Sequence, residues 1–137
     1  MPVSDWTSTQ LDRMALDGST SHLSIVDRPD NSLCLCTGSL GSSKSNDVPA
    51  MMRKYAVMGR ISFIHLRNVR ILADGSFVEK GHGFFSGNLN MYAIVKALVD
   101  NGFDEYVRPD HGLMIWSVTG KPGCGLYDQG MGAPYIN

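Results

Sequence analysis

Apolar positions along the chain gather into three short runs, and the periodicity between those runs is helical. Leu33-Cys34-Leu35-Cys36, closed by Thr37-Gly38-Ser39, has the pattern of a buried strand. Arg60-Ile61-Ser62-Phe63-Ile64-His65-Leu66 is the clearest strand of the sequence. Tyr106-Val107-Arg108-Pro109 reads as a last one, with the proline at its end, where a missing donor does little harm. Met91–Asn101 predicts a helix, because Met91, Ile94, Val95 and Leu98 share one face and Gly102 can cap it at positive φ. Pro49 suits the first turn of a second helix running through Tyr55. Short helices are expected around Thr9–Leu16 and Ser21–Asp27. Gly41–Asn46, the stretch from Arg67 to Asn90 with its Asp74-Gly75 turn, and everything after Asp110 read as loop.

Strands alternating with helices imply an α/β fold with a parallel sheet. Three parallel strands alone leave open edges and make a poor independent domain. They fit better as the last three or so units of a (β/α)8 barrel, so residues 1–137 are expected to form a single domain that is the C-terminal part of such a barrel. The open edges predict a homo-oligomer or an aggregation-prone chain.

Composition narrows the class without naming a chemistry. With 43% hydrophobic and 18% charged residues, the chain of 137 residues can bury a core and is not of the disordered type. A net charge of −1 without a basic run gives no case for nucleic acid. The apolar stretches fall short of the roughly 20 residues of a membrane span, and MPVSDWTSTQ lacks the features of a signal peptide. Three cysteines, two of them alternating along one strand, argue for reduced thiols and a cytoplasmic setting.

The ends of the three predicted strands bear potential ligands: Cys36, His65 and Asp110. In parallel α/β architectures the active site lies at those C-terminal ends. A thiolate, an imidazole and a carboxylate converging there would suit Mn, Fe or Zn. Taken singly, each has a plainer explanation: Cys36 as a small buried hydrophobe, His65 as a satisfied structural histidine, Asp110 as the start of a turn. Arg108-Pro109-Asp110-His111-Gly112 is the densest polar run; its arginine offers a fork for a carboxylate, and Asp110 and His111 could serve metal binding and proton transfer. A solvated turn is the alternative.

Four motifs in order resemble those of the mannonate dehydratases: Cys36-Thr37-Gly38-Ser39-Leu40-Gly41, His65-Leu66-Arg67-Asn68-Val69, Arg108-Pro109-Asp110-His111-Gly112 and Gly125-Leu126-Tyr127-Asp128. Phe77, Glu79 and His82 resemble that family's F-x-E-x-x-H segment, and Met114-Ile115-Trp116 continues the run as the family does. The resemblance spans roughly residues 23–135. It implies a xylose-isomerase-like TIM barrel that dehydrates D-mannonate to 2-keto-3-deoxy-D-gluconate in hexuronate catabolism, with Mn(II) or Fe(II) as cofactor. It further implies Cys36, His65 and Asp110 as metal ligands. Arg108, His111 and Tyr127 would lie beside the sugar acid, with Asp110, His111 and Arg108 serving catalysis.

The chain departs from the family's pattern in several places. The family's further metal-binding histidine, in His-Pro-Asp-Asp-Pro-Pro, has no counterpart; the upstream histidine is His22, in Ser-His-Leu. Cys124 stands where the family has tyrosine, Asn90 where aspartate is common, and residues 1–22 match poorly. With one ligand fewer and most of the barrel absent, weak or no turnover is expected of this chain; the alternative is a barrel remnant that binds metal or a partner without catalysis.

Overall fold

A computed structural model describes residues 19–83, 86–121 and 123–136. The helix expected around Thr9–Leu16 lies outside them. The elements run α1 (Ser19–Ile25), β1 (Leu33–Cys36), α2 (Thr37–Gly41), α3 (Val48–Val57), β2 (Ile61–Leu66), β3 (Asn68–Ile71), β4 (Phe77–Lys80), α4 (Met91–Val99), β5 (Tyr106–Pro109) and α5 (Leu126–Ile136). The fold is mixed α/β. β1, β2 and β5 form a parallel sheet in the order β1-β2-β5, as the alternation of strands and helices implies.

The two main helices start on side-chain caps. The Asp47 carboxylate accepts from the Ala50 N–H at 3.0 Å, and Pro49 fills the first turn of α3, where no donor is needed. The Asn90 side chain does the same for Ala93 at the start of α4, at 3.0 Å. α4 stops at Val99, two residues before the expected end, and Gly102 takes φ 71° just beyond it. Val48, Met52 and Tyr55 of α3 and Met91, Ile94 and Leu98 of α4 pack with Leu33, Leu35, Ile64 and Leu66 into one core. Burial of this face, and not helix propensity, holds such short helices in place.

The second face of the sheet carries the chemistry. Cross-strand pairing aligns two rows there: Cys34, Phe63 and Tyr106, then Cys36, His65 and Arg108. Side chains two apart on a strand share a face, so both rows lie on the side away from the helices. Cys34 and Tyr106 are exposed, and the Phe63 ring meets His65 edge-on at 5.0 Å.

Three expectations are corrected. The stretch from Arg67 to Asn90 is not irregular throughout: β3 and β4 pair as an antiparallel hairpin, turning at Gly75 with φ 86°. Its second strand, Phe77-Val78-Glu79-Lys80, is half charged and shows no clean alternation. The Gly41–Asn46 loop begins later, because Gly41 closes α2. The tail after Asp110 is not all loop, since Leu126–Ile136 forms α5 despite Gly130, Gly132 and Pro134. There Gly132 is a packing residue: a β-carbon at its position would run into the ring of His82. Among the described residues, no helix is long and apolar enough to cross a membrane.

Candidate metal centre

The sequence Cys-Thr-Gly-Ser-Leu-Gly turns the chain at the end of β1 and fixes its first residue. Cys36 is the N-terminal cap of α2, its Sγ accepting from the Ser39 N–H at 3.4 Å. Thr37 is fully buried and ties this turn to the neighbouring strand. Its hydroxyl donates to the Arg67 carbonyl at 2.6 Å and accepts from the Arg67 N–H at 2.8 Å. Gly38 leaves room for the Arg67 side chain, which a β-carbon would strike. The tight turn therefore brings Cys36 and the end of β2 together.

Asp110 is seated by the same kind of bond. Its N–H donates to the Leu66 carbonyl at 3.3 Å, continuing the β2–β5 ladder by one residue. His82, itself buried, bonds that same carbonyl through Nε2 at 2.7 Å. α5 folds back over the strand end: Gln129 Nε2 donates to the Asp110 carbonyl at 2.7 Å, and the Asp128 carboxylate accepts from the Leu113 N–H at 2.8 Å. The Gly-Leu-Tyr-Asp motif thus works first as a clasp on the Asp-His-Gly turn.

Donor atoms of Cys36, His65 and Asp110 all lie within 4.8 Å of one another. His65 Nδ1 is 3.6 Å from Asp110 Oδ2. Ligand atoms around a divalent ion with bonds of roughly 2.0–2.3 Å sit about 3–4.5 Å apart, so a closure of a few tenths of an ångström makes one coordination shell. A sulfur, a nitrogen and an oxygen donor together fit a borderline transition ion better than Mg or Ca. The residues present fit the metal the motifs imply.

Charged groups crowd the trio. Asp110 is 5% exposed and receives Arg108 Nη2 on Oδ1 at 2.6 Å. His111 Nε2 and Arg67 Nη1 stand 3.5 and 3.8 Å from its Oδ2. Arg67 also reaches Cys36 Sγ at 3.9 Å and binds Glu79 Oε1 through Nη2 at 2.7 Å. Glu79 Oε1 lies 3.8 Å from His111 Nδ1. Arg108 and His111 are therefore brought to Asp110. The ring contact of Tyr127, by contrast, is with Trp116, edge-on at 5.3 Å. Arg67, Glu79, Thr37 and Gln129 were not assigned roles from sequence. Arg67, Glu79 and Thr37 stand in the motifs that carry the resemblance, whereas Gln129 offers no signal beyond being polar.

Burial pushes the Glu79 carboxyl above the ordinary glutamate range; Arg67 and His111 oppose this and Asp110 adds to it. Its folded pKa exceeds its unfolded one, so its contribution to stability is present at low pH and lost as pH rises through the folded value. Glu79→Gln should remove that component. In thermal unfolding from about pH 4 to 7, the melting temperature of the variant relative to wild type should rise with pH; a flat difference would contradict the sign.

The D-mannonate dehydratase (UxuA) family profile matches residues 20–137. Mannonate dehydratase from Lactococcus lactis subsp. cremoris is 49% identical over 115 residues, 82% of this chain and 32% of the relative. The Thermotoga neapolitana enzyme is 45% identical over 114 residues, 83% of this chain and 32% of its own length. The crystal structure of mannonate dehydratase from Streptococcus suis serotype 2 superposes with a TM-score of 0.82 at 39% identity, over 88% of this chain and 35% of that one. The chain spans about a third of the length of the curated relatives it matches. The turn that caps α2 with Cys36, the strand end at His65 and the clasped Asp110 turn are thus embedded in a continuous family match, and the chain belongs to the D-mannonate dehydratase family.

Proposed function

We propose that this chain carries the Cys-His-Asp metal site of a mannonate dehydratase-type hydro-lyase and binds a sugar acid beside it. The observation that carries the reading is the convergence of Cys36, His65 and Asp110, from three strand ends far apart in sequence, to within 4.8 Å. The three strands are read as the last β/α units of a TIM barrel, with the Cys34-Phe63-Tyr106 and Cys36-His65-Arg108 rows on its inner side. In that setting Cys36, His65 and Asp110 hold Mn(II) or Fe(II). Such an ion, when bound, draws electron density from the sugar-acid oxygens and stabilises charge beside the carboxylate.

The remaining chemistry belongs to the protein. Arg108 uses one N–H on Asp110, and its side chain is otherwise half exposed, so its fork can take the substrate carboxylate. His111 has a carboxylate oxygen within 3.8 Å of each ring nitrogen, which orients the ring toward the trio for proton transfer. Loss of the proton at C2 and departure of the C3 hydroxyl as water gives an enol, which tautomerises to the 2-keto-3-deoxy acid. Tyr127 with Trp116 forms an aromatic wall that would take the sugar's apolar face.

The test is anaerobic purification, addition of Mn(II) and D-mannonate, and assay of 2-keto acid formation, with thermal unfolding and chromatography to follow folding and oligomeric state. We expect slow, Mn(II)-dependent turnover. A folded sample that neither binds Mn(II) nor forms product sinks the reading. Metal binding lost on Cys36→Ser or His65→Ala, without turnover, favours a non-catalytic metal-binding chain.

A further inference from the structure

Arg67 is a buried cation, 9% exposed, standing among the atoms read above as metal ligands. A guanidinium there competes with any divalent ion for the same negative charge. Its Nη1 is 3.8 Å from Asp110 Oδ2 and 3.9 Å from Cys36 Sγ, too far for a strong bond to either. Its Nη2 is held on Glu79 Oε1 at 2.7 Å. The cation is thus drawn toward the hairpin strand β4 and away from the strand ends.

The details suggest more than a structural ion pair. A pair serving only the fold gains most when both prongs of the guanidinium meet both carboxylate oxygens. Here Arg67 Nε and Glu79 Oε2 are buried without hydrogen-bond partners among the described residues. Gly38, whose lack of a β-carbon admits the Arg67 side chain, keeps the arginine lying across the start of α2. The Phe77 ring lies 5.8 Å from the guanidinium carbon, on the Glu79 side of the hairpin. Pairing to Glu79 therefore decides how far Arg67 can swing toward Cys36 and Asp110.

We infer that Glu79 is a positioning residue that holds Arg67 back from the Cys36 and Asp110 donors, keeping them open to a divalent cation. This rests on the metal-site reading above. Without the Glu79 charge, Arg67 is released to close on Asp110 and Cys36 and acts as an internal competitor. With Arg67 gone, Glu79 has nothing to restrain. The effect of one residue thus depends on the presence of the other, which a double-mutant cycle measures directly.

The experiment titrates the metal-free full chain with Co(II) under anaerobic conditions at neutral pH, following the thiolate-to-cobalt charge-transfer absorption, which reports Cys36 ligation irrespective of turnover. Glu79→Gln keeps an oxygen for Arg67 but removes the charge, and should weaken Co(II) binding about tenfold or more, the scale of residues that support a ligand shell. Arg67→Met should bind at least as tightly as wild type, and adding Glu79→Gln to it should change affinity by less than about threefold. Unchanged affinity in Glu79→Gln overturns the inference while leaving the metal site standing. A tenfold loss in Arg67→Met, a variant that remains informative even if Glu79→Gln fails to fold, also overturns it. A wild-type chain that gives no thiolate band overturns both the inference and the metal-site reading.

Discussion

Replacing Asp110 with asparagine is expected to lower Mn(II) affinity more than about 100-fold and to take turnover to background. The carboxylate is 5% exposed and faces His65, His111, Arg67 and Arg108 at 2.6–3.8 Å. Asparagine preserves its shape and its backbone bond to Leu66, so the strand end should stay in place. What is lost is one anionic donor and the counter-charge to two arginines, both of which then repel an incoming cation. Supporting residues around metal sites cost 10–100-fold when removed, and a ligand should cost more. Isothermal titration with Mn(II), alongside circular dichroism to verify folding, measures the effect. Affinity within tenfold of wild type would exclude Asp110 as a ligand.

The second large effect is expected away from the donors. Thr37→Val removes a fully buried hydroxyl that bonds both the N–H and the carbonyl of Arg67. Valine fills the space but leaves both backbone groups without that partner, at about 1–3 kcal/mol for each group left unsatisfied. We expect a loss of roughly 2–4 kcal/mol in urea unfolding, with weaker metal binding, because the same hydroxyl aligns the exits of β1 and β2. Thr37→Ser should retain most of both. A valine variant as stable as wild type would show that Arg67 finds other partners.

These two sites divide differently between sequence and structure. Asp110, His65 and Cys36 are legible as candidates because each stands at or beside the end of a strand-like run, and a strand in a parallel sheet ends at the functional edge. The helices around Pro49 and Met91 were legible for a similar reason: their caps and apolar faces are local in sequence. The β3–β4 hairpin and α5 were not, because their stability comes from distant partners. Asn68 is buried and bonds Leu89 at 3.2 Å, and Gly132 lies against His82, fifty positions earlier. Neither contact leaves a periodic trace in the residues on either side.

The succession of β1, β2 and β5, their parallel pairing and the candidate ligands near their ends were legible in the sequence itself, through hydrophobic period, turn residues and family motifs. Only the tertiary structure decided which charges meet. Arg67 follows β2 by one residue and Glu79 lies on a strand that the pattern hid, yet the hairpin closes them to 2.7 Å beside Asp110. Electrostatic coupling falls off with distance in space and is indifferent to separation along the chain. A linear reading can therefore list the ionisable residues of a site, but their pairing waits on the fold.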